Sequence, residues 1–82
     1  MRGARNQLEL GKLIKQLREQ QHLSQTVLAQ KTGLTQPTLS NIEHGIGGNL
    51  KHLETLLRAL NVEVILRPVK KIDISKLTDL ID

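Results

Sequence analysis

The sequence predicts an all-α domain of four to five short helices with one β-strand near its C-terminal end. Three observations carry that prediction. Aliphatic residues recur at three- and four-residue spacing along the first sixty positions. A residue suited to capping (Asn6, Ser24, Thr35 or Asn49) precedes each periodic segment. Residues 62–67 then switch to a β-branched, apolar run that Pro68 closes.

The first helix starts after Asn6, with Glu9 three positions on completing an approximate capping box. Leu10, Leu13, Ile14 and Leu17 form its apolar stripe, Lys12, Lys15 and Glu19 lie off it, and it ends before His22. The second helix follows Ser24, carries Val27, Leu28 and Ala29 on its inner surface, and stops at Gly33. Glycine is the residue that most cheaply takes the left-handed conformation of a helix end. Thr35 caps the third helix, and Pro37 sits in its first turn, where a missing N–H does no harm. Leu39 and Ile42 face inward and Gly45 ends it. After the loop 45–48, Asn49 caps a fourth helix whose stripe is Leu50, Leu53, Leu56, Leu57 and Leu60.

The run Val62, Val64, Ile65 and Leu66 reads as a strand with no partner in its own chain. Its free N–H and C=O groups would form an exposed edge. Antiparallel pairing with the same strand of a second copy resolves this and places Glu63 opposite Arg67 of that copy. Residues 69–82 form a tail in which Ile74, Leu77 and Leu80 have helical spacing. A helix this short is marginal alone. The tail is therefore either a frayed end or a segment that orders on a partner protein.

Composition narrows the function. The chain has 82 residues, no cysteine and no Phe, Tyr or Trp. Disulfides, thiol chemistry and cysteine-based zinc sites are excluded. Single-strand binding by aromatic stacking is disfavoured. No apolar run is long enough to span a bilayer, and a cytoplasmic, nucleoid-associated protein is expected. The net charge of +4 falls entirely within residues 1–67, which suits a polyanionic partner. His22, His44 and His52 lack metal-ligand spacing, Ser24, Ser40 and Ser75 lack a base and its orienter, and loop 45–48 lacks the strand and lysine of a phosphate cradle. No catalytic site, metal or cofactor is expected.

The stretch from Gln25 to Glu43 is the most informative. A tight turn at Gly33 joins two helices, Ala29 is small where they approach, and Leu28, Leu34, Leu39 and Ile42 fill their angle. These are the requirements of a helix-turn-helix. With Leu23-Ser24-Gln25 before it and Asn41-Ile42-Glu43-His44-Gly45 closing it, the segment resembles the Xre/Cro family of lambda-repressor-like proteins. The resemblance spans residues 8–61. The run from Gln36 to Glu43, the leucine helix and the following strand are closer still to HipB-type antitoxins, which are dimeric repressors that also restrain a HipA-like kinase toxin.

That resemblance implies a helix-turn-helix DNA-binding domain at 1–61, a dimerising strand at 62–68 and a tail at 69–82. It implies that the third helix enters the major groove with Thr35, Gln36, Pro37, Ser40 and Asn41 at base edges. Gln36 leads, because an amide pairs with adenine N6 and N7 together. Gln25 and Thr38 match phosphate-contacting positions, and Lys15, Asn49 and Lys51, with Arg2 or Arg5, are further candidates. Residues 35–44 contain no Lys or Arg, which excludes guanine reading by arginine and favours A·T contacts. Arg18 and Glu43 match a pair that lies beneath the DNA surface in the phage repressors. Gln36, Ser40 and Asn41 also fit an ordinary solvated face, and the lysines fit one equally well. The implied role is a homodimeric repressor of an operator with two half-sites, autoregulating a HipBA-like operon. A phage or plasmid Cro/C-type repressor, and a helix-turn-helix module for protein contacts alone, are the alternatives.

Overall fold

Four α-helices make up the computed structural model, which describes residues 3–69: α1 (Gln7–Gln20), α2 (Gln25–Thr32), α3 (Gln36–Glu43) and α4 (Leu50–Leu60). Each starts where a side-chain oxygen satisfies an otherwise orphaned N–H. Asn6 accepts from the Glu9 amide, Ser24 from Val27, Thr35 from Thr38 and Asn49 from His52. The Glu9 carboxylate in turn accepts from the Arg5 amide and the Asn6 side chain, at 3.2 Å each. Gly33 closes α2 with φ 75°, in the left-handed region. Helix α3 ends at Glu43 with His44 as its cap, slightly ahead of Gly45.

The core is wholly aliphatic: Ile14, Leu28, Ala29, Leu39, Leu56 and Leu60 are buried. Leu10, Leu17, Leu23, Leu34, Ile42 and Leu53 pack around them. Each fully buried Leu is worth about 1.5–3 kcal/mol of transfer free energy. Two residues expected inside are outside. Val27 is 39% exposed, because it directly precedes Leu28 and the helical turn rotates it off the buried side. Leu50 is 83% exposed, because it is the first residue of α4 and extends beyond the helices that cover Leu53 and Leu56.

Gly11 sets how closely α1 crosses α3. A Cβ there would meet the carbonyl oxygens of Ile42 and Glu43, the latter at 2.8 Å. Only a bare Cα fits against the last turn of α3. Two glutamines tie the ends of α1 to the rest of the domain. Gln7 Nε2 donates to the Gly47 carbonyl and Gln21 Nε2 to the Leu60 carbonyl, both at 2.7 Å.

Residues 62–69 follow α4 without regular secondary structure and form no strand among the described residues. A ladder needs a second strand, and none occurs among the described residues. Val64, Ile65 and Leu66 are exposed, Leu66 at 93%. Residues 62–67 border an open apolar cavity of about 350 Å³, also lined by Leu10, Leu13 and Leu17 of α1 and Leu53 and Leu57 of α4. Expectations for Arg2 and for a fifth helix in the tail concern residues outside those described.

Candidate nucleic-acid interface

Local sequence presents α3 outward. Its buried residues, Leu39 and Glu43, fall four apart on one side. Gln36, Pro37 and Asn41 are exposed, and Thr38 and Ser40 are half-buried. The first turn of α3 therefore faces solvent while its last turn is fixed against α1.

The anchor is an ion pair. Arg18 Nε donates to Glu43 Oε2 at 2.7 Å and Nη2 to Oε1 at 3.0 Å, a bidentate arrangement with side chains 9% and 1% exposed. Arg18 Nη1 donates to the Leu23 carbonyl at 2.8 Å. The hydrogen bond to Glu43 raises the Arg18 guanidinium above its ordinary pKa, and burial opposes this to a smaller degree. Arg18 thus binds the end of α1, the entry to α2 and the end of α3 into one unit.

A polar chain runs from this pair to the surface. Gln25 Nε2 donates to Glu43 Oε1 at 3.0 Å. Gln36 Nε2 donates to Gln25 Oε1 at 2.7 Å. The structure therefore joins four of the named positions, Arg18, Glu43, Gln25 and Gln36, in sequence from the core outward. Sequence reading paired Arg18 with Glu43 but missed the two glutamine links. Gln25 and Gln36 lie eleven residues apart on different helices, and no helical or strand periodicity brings such positions together.

The remaining positions are less connected. The Thr35 hydroxyl accepts from the Thr38 amide at 3.2 Å and donates to the Thr38 hydroxyl at 2.8 Å, so its one proton is spent locally. Thr38 keeps its own hydroxyl proton. Asn49 Oδ1 is used in capping His52 at 2.8 Å, which leaves its amide N–H groups. Lys15, Lys51 and Arg5 are exposed, on α1, on α4 and ahead of α1. His44 Nδ1 faces the Ser40 carbonyl at 2.7 Å, a contact that requires the proton on Nδ1. No group of three metal-ligating side chains occurs among the described residues, nor a helix long and apolar enough to cross a membrane.

The arrangement offers hydrogen-bonding side chains on an exposed first turn held by a buried clamp. Comparison with known proteins bears on the fold that carries it. A sequence profile described as helix-turn-helix matches residues 14–65. Among solved structures, the chain is similar to a singly substituted HipB in complex with an O2 20mer, at TM-score 0.77 and 27% identity over 85% of this chain and 99% of that one. It is similar to a HipA–HipB–O2–O3 complex at TM-score 0.76 and 27% identity, covering 85% of this chain and 100% of that one. A point mutant of the restriction-modification controller protein C.Esp1396I matches at TM-score 0.61 and 26% identity, over 88% of this chain and 81% of that one. No curated protein sequence matches.

Proposed function

The chain belongs to the helix-turn-helix family, and from that membership we propose that it is a homodimeric, sequence-specific DNA-binding repressor that serves as the antitoxin of a HipBA-like module. The observation that carries the reading is the exposed first turn of α3, with Gln36 held at 2.7 Å by Gln25 above the buried Arg18–Glu43 pair. A side chain that reads a base needs a fixed position, since each good bidentate contact discriminates by about 1–3 kcal/mol only when both hydrogen bonds form together.

In this reading α3 lies in the major groove. Gln36 pairs with adenine, and Pro37, Ser40 and Asn41 touch neighbouring base edges. Thr35 contributes through the helix start, because its hydroxyl proton is already committed to Thr38. Gln25 retains one N–H for a phosphate, and Thr38, Lys15, Asn49 and Lys51 supply further backbone contacts. The two exposed ends of the fold divide the work. Residues 62–68 pair with those of a second copy, which places two recognition helices on half-sites about one helical turn apart. The apolar cavity between α1, α4 and residues 62–67 supports this, because a second copy would cover it.

The HipA–HipB–O2–O3 complex among the similar structures supports a HipA-like kinase toxin as protein partner. The likeness to a restriction-modification controller supports a second reading, a C-type repressor with the same DNA chemistry and no toxin. Binding of a HipA-like kinase encoded beside the gene separates the two.

The test is fluorescence anisotropy on duplex DNA from upstream of the gene at several salt concentrations, with Gln36→Ala alongside. The expected result is binding that weakens steeply with salt, and loss of preference over random duplex in Gln36→Ala. Equal, weak binding to both duplexes by both proteins would leave a protein-interaction module instead.

A further inference from the structure

Resting on the homodimer part of that reading, we infer that the N-terminal arm, Gly3 to Arg5, is the outer wall of the dimer interface. The joining strand of the second copy enters between this arm and residues 65–69, with its Glu63 set beside Arg5 and Arg67.

Sequence alone makes Arg5 a candidate for a DNA phosphate. The structure gives it other neighbours. Gly3, Ala4 and Arg5 face residues 65–69 across a cleft of about 520 Å³. Gly3 and Ala4 also border the apolar cavity that α1 and α4 leave open beside residues 62–67. The arm and the joining segment therefore bound the same two openings. Among the described residues, no backbone–backbone hydrogen bond involves residues 3, 4 or 63–69. Strand pairing alone leaves this interface unfinished. When two copies pair through residues 62–68, each strand spends one edge on the other and keeps free N–H and C=O groups on its second edge. The arm, on the far side of the incoming strand, supplies partners for that edge.

Charge indicates which residue enters. The cleft carries two guanidinium side chains, Arg5 and Arg67, and one carboxylate, Glu9. Glu9 already accepts from the Arg5 amide and the Asn6 side chain. Neither Arg5 nor Arg67 has an ion-pair partner among the described residues. The joining segment holds a single acid, Glu63, which is exposed. With the two-fold axis at Ile65, Glu63 of the second copy arrives opposite Arg67. Arg5 borders the cleft beside residues 65–69 and not the cavity beside residues 62–67, which puts it at that same end. Each carboxylate of the dimer then meets two guanidinium groups, one from each wall.

The experiment measures the monomer–dimer dissociation constant without DNA, by sedimentation velocity over a range of concentrations at low salt. Arg5→Glu keeps the backbone bond to Glu9 and adds an acid ahead of α1, where the helix tolerates it. Circular dichroism at each concentration checks the fold. In the wild-type background Arg5→Glu should weaken the dimer by at least about fivefold, because attraction becomes repulsion and the contact occurs twice. In the Glu63→Arg background the sign reverses, and Arg5→Glu should tighten the dimer. If Glu63→Arg is monomeric throughout, Glu63→Gln takes its place, and there Arg5→Glu should have little effect. A structural defect would weaken every background alike, and that result overturns the inference. So does an Arg5→Glu variant that dimerises as the wild type does and loses only DNA affinity, which returns Arg5 to a phosphate; the joining strand stands in both cases. A wild type that stays monomeric at every concentration overturns the homodimer reading as well.

Discussion

At the scale of single residues, the Arg18–Glu43 pair decides most. It is buried, bidentate and backed by the Leu23 carbonyl. Arg18→Ala would strand Glu43 at 1% exposure with only Gln25 for a partner. The expected loss is about 3–5 kcal/mol, the usual result of removing one member of a buried pair. Urea unfolding followed by circular dichroism reads it, and an unchanged midpoint would mean that the pair contributes nothing to stability. The pH dependence has a definite sign. The folded-state pKa of Arg18 is raised, so its contribution is fully present below the unfolded value and is lost only as strong alkali titrates the folded form. Through the neutral range this group gives no slope. The pair was legible in the sequence because family resemblance marks both positions. Gln25 and Gln36 were legible only as separate DNA contacts. Their mutual bond depends on the crossing of α2 and α3, which no local pattern encodes.

At the scale of elements, helix starts were the most legible feature. A cap is a local hydrogen bond between residues three apart, so Asn6, Ser24, Thr35 and Asn49 announce themselves. Burial was less legible at Val27 and Leu50, because it depends on where neighbouring helices end. The crossing of α1 on α3 was not anticipated either: a lone glycine in a helix looks like a defect. Gly11 is instead the contact itself, set against the carbonyls that end α3. Gly11→Ala, which improves propensity in an isolated helix, should here lower stability by about 1–3 kcal/mol through overpacking. A rise in melting temperature would contradict that. Segment 62–69 shows the same dependence on context. Its residues have strand character, yet pairing requires a second strand.

At the scale of the whole molecule, four short helices bury only a small aliphatic core, and one side of it stays open beside α1 and α4. Small domains of this size gain from association. In the proposed dimer, Ile65, 74% exposed in the single chain, lies within the joining strand. Ile65→Lys would put like charges close across the two-fold axis. Light scattering should then report the mass of one chain, and operator affinity should fall because the two half-sites are no longer held together. A variant that stays dimeric would place the interface elsewhere. In that proposed dimer the outer turn of α3 stays free, because residues 62–67 border a cavity lined by α1 and α4 and not by Gln36.

The split character of α3, exposed at its start and locked at its end, also bears on how such a protein changes over generations. Substitutions at Pro37 or Asn41 leave the clamp intact, so new operators are reachable one step at a time. Gln36 is different, because its amide is shared with Gln25. A lineage that replaces one glutamine with an apolar residue removes the hydrogen bond that positions the other, and drift at either position alone is discouraged. Among descendants of this sequence, the two positions should vary as a couple.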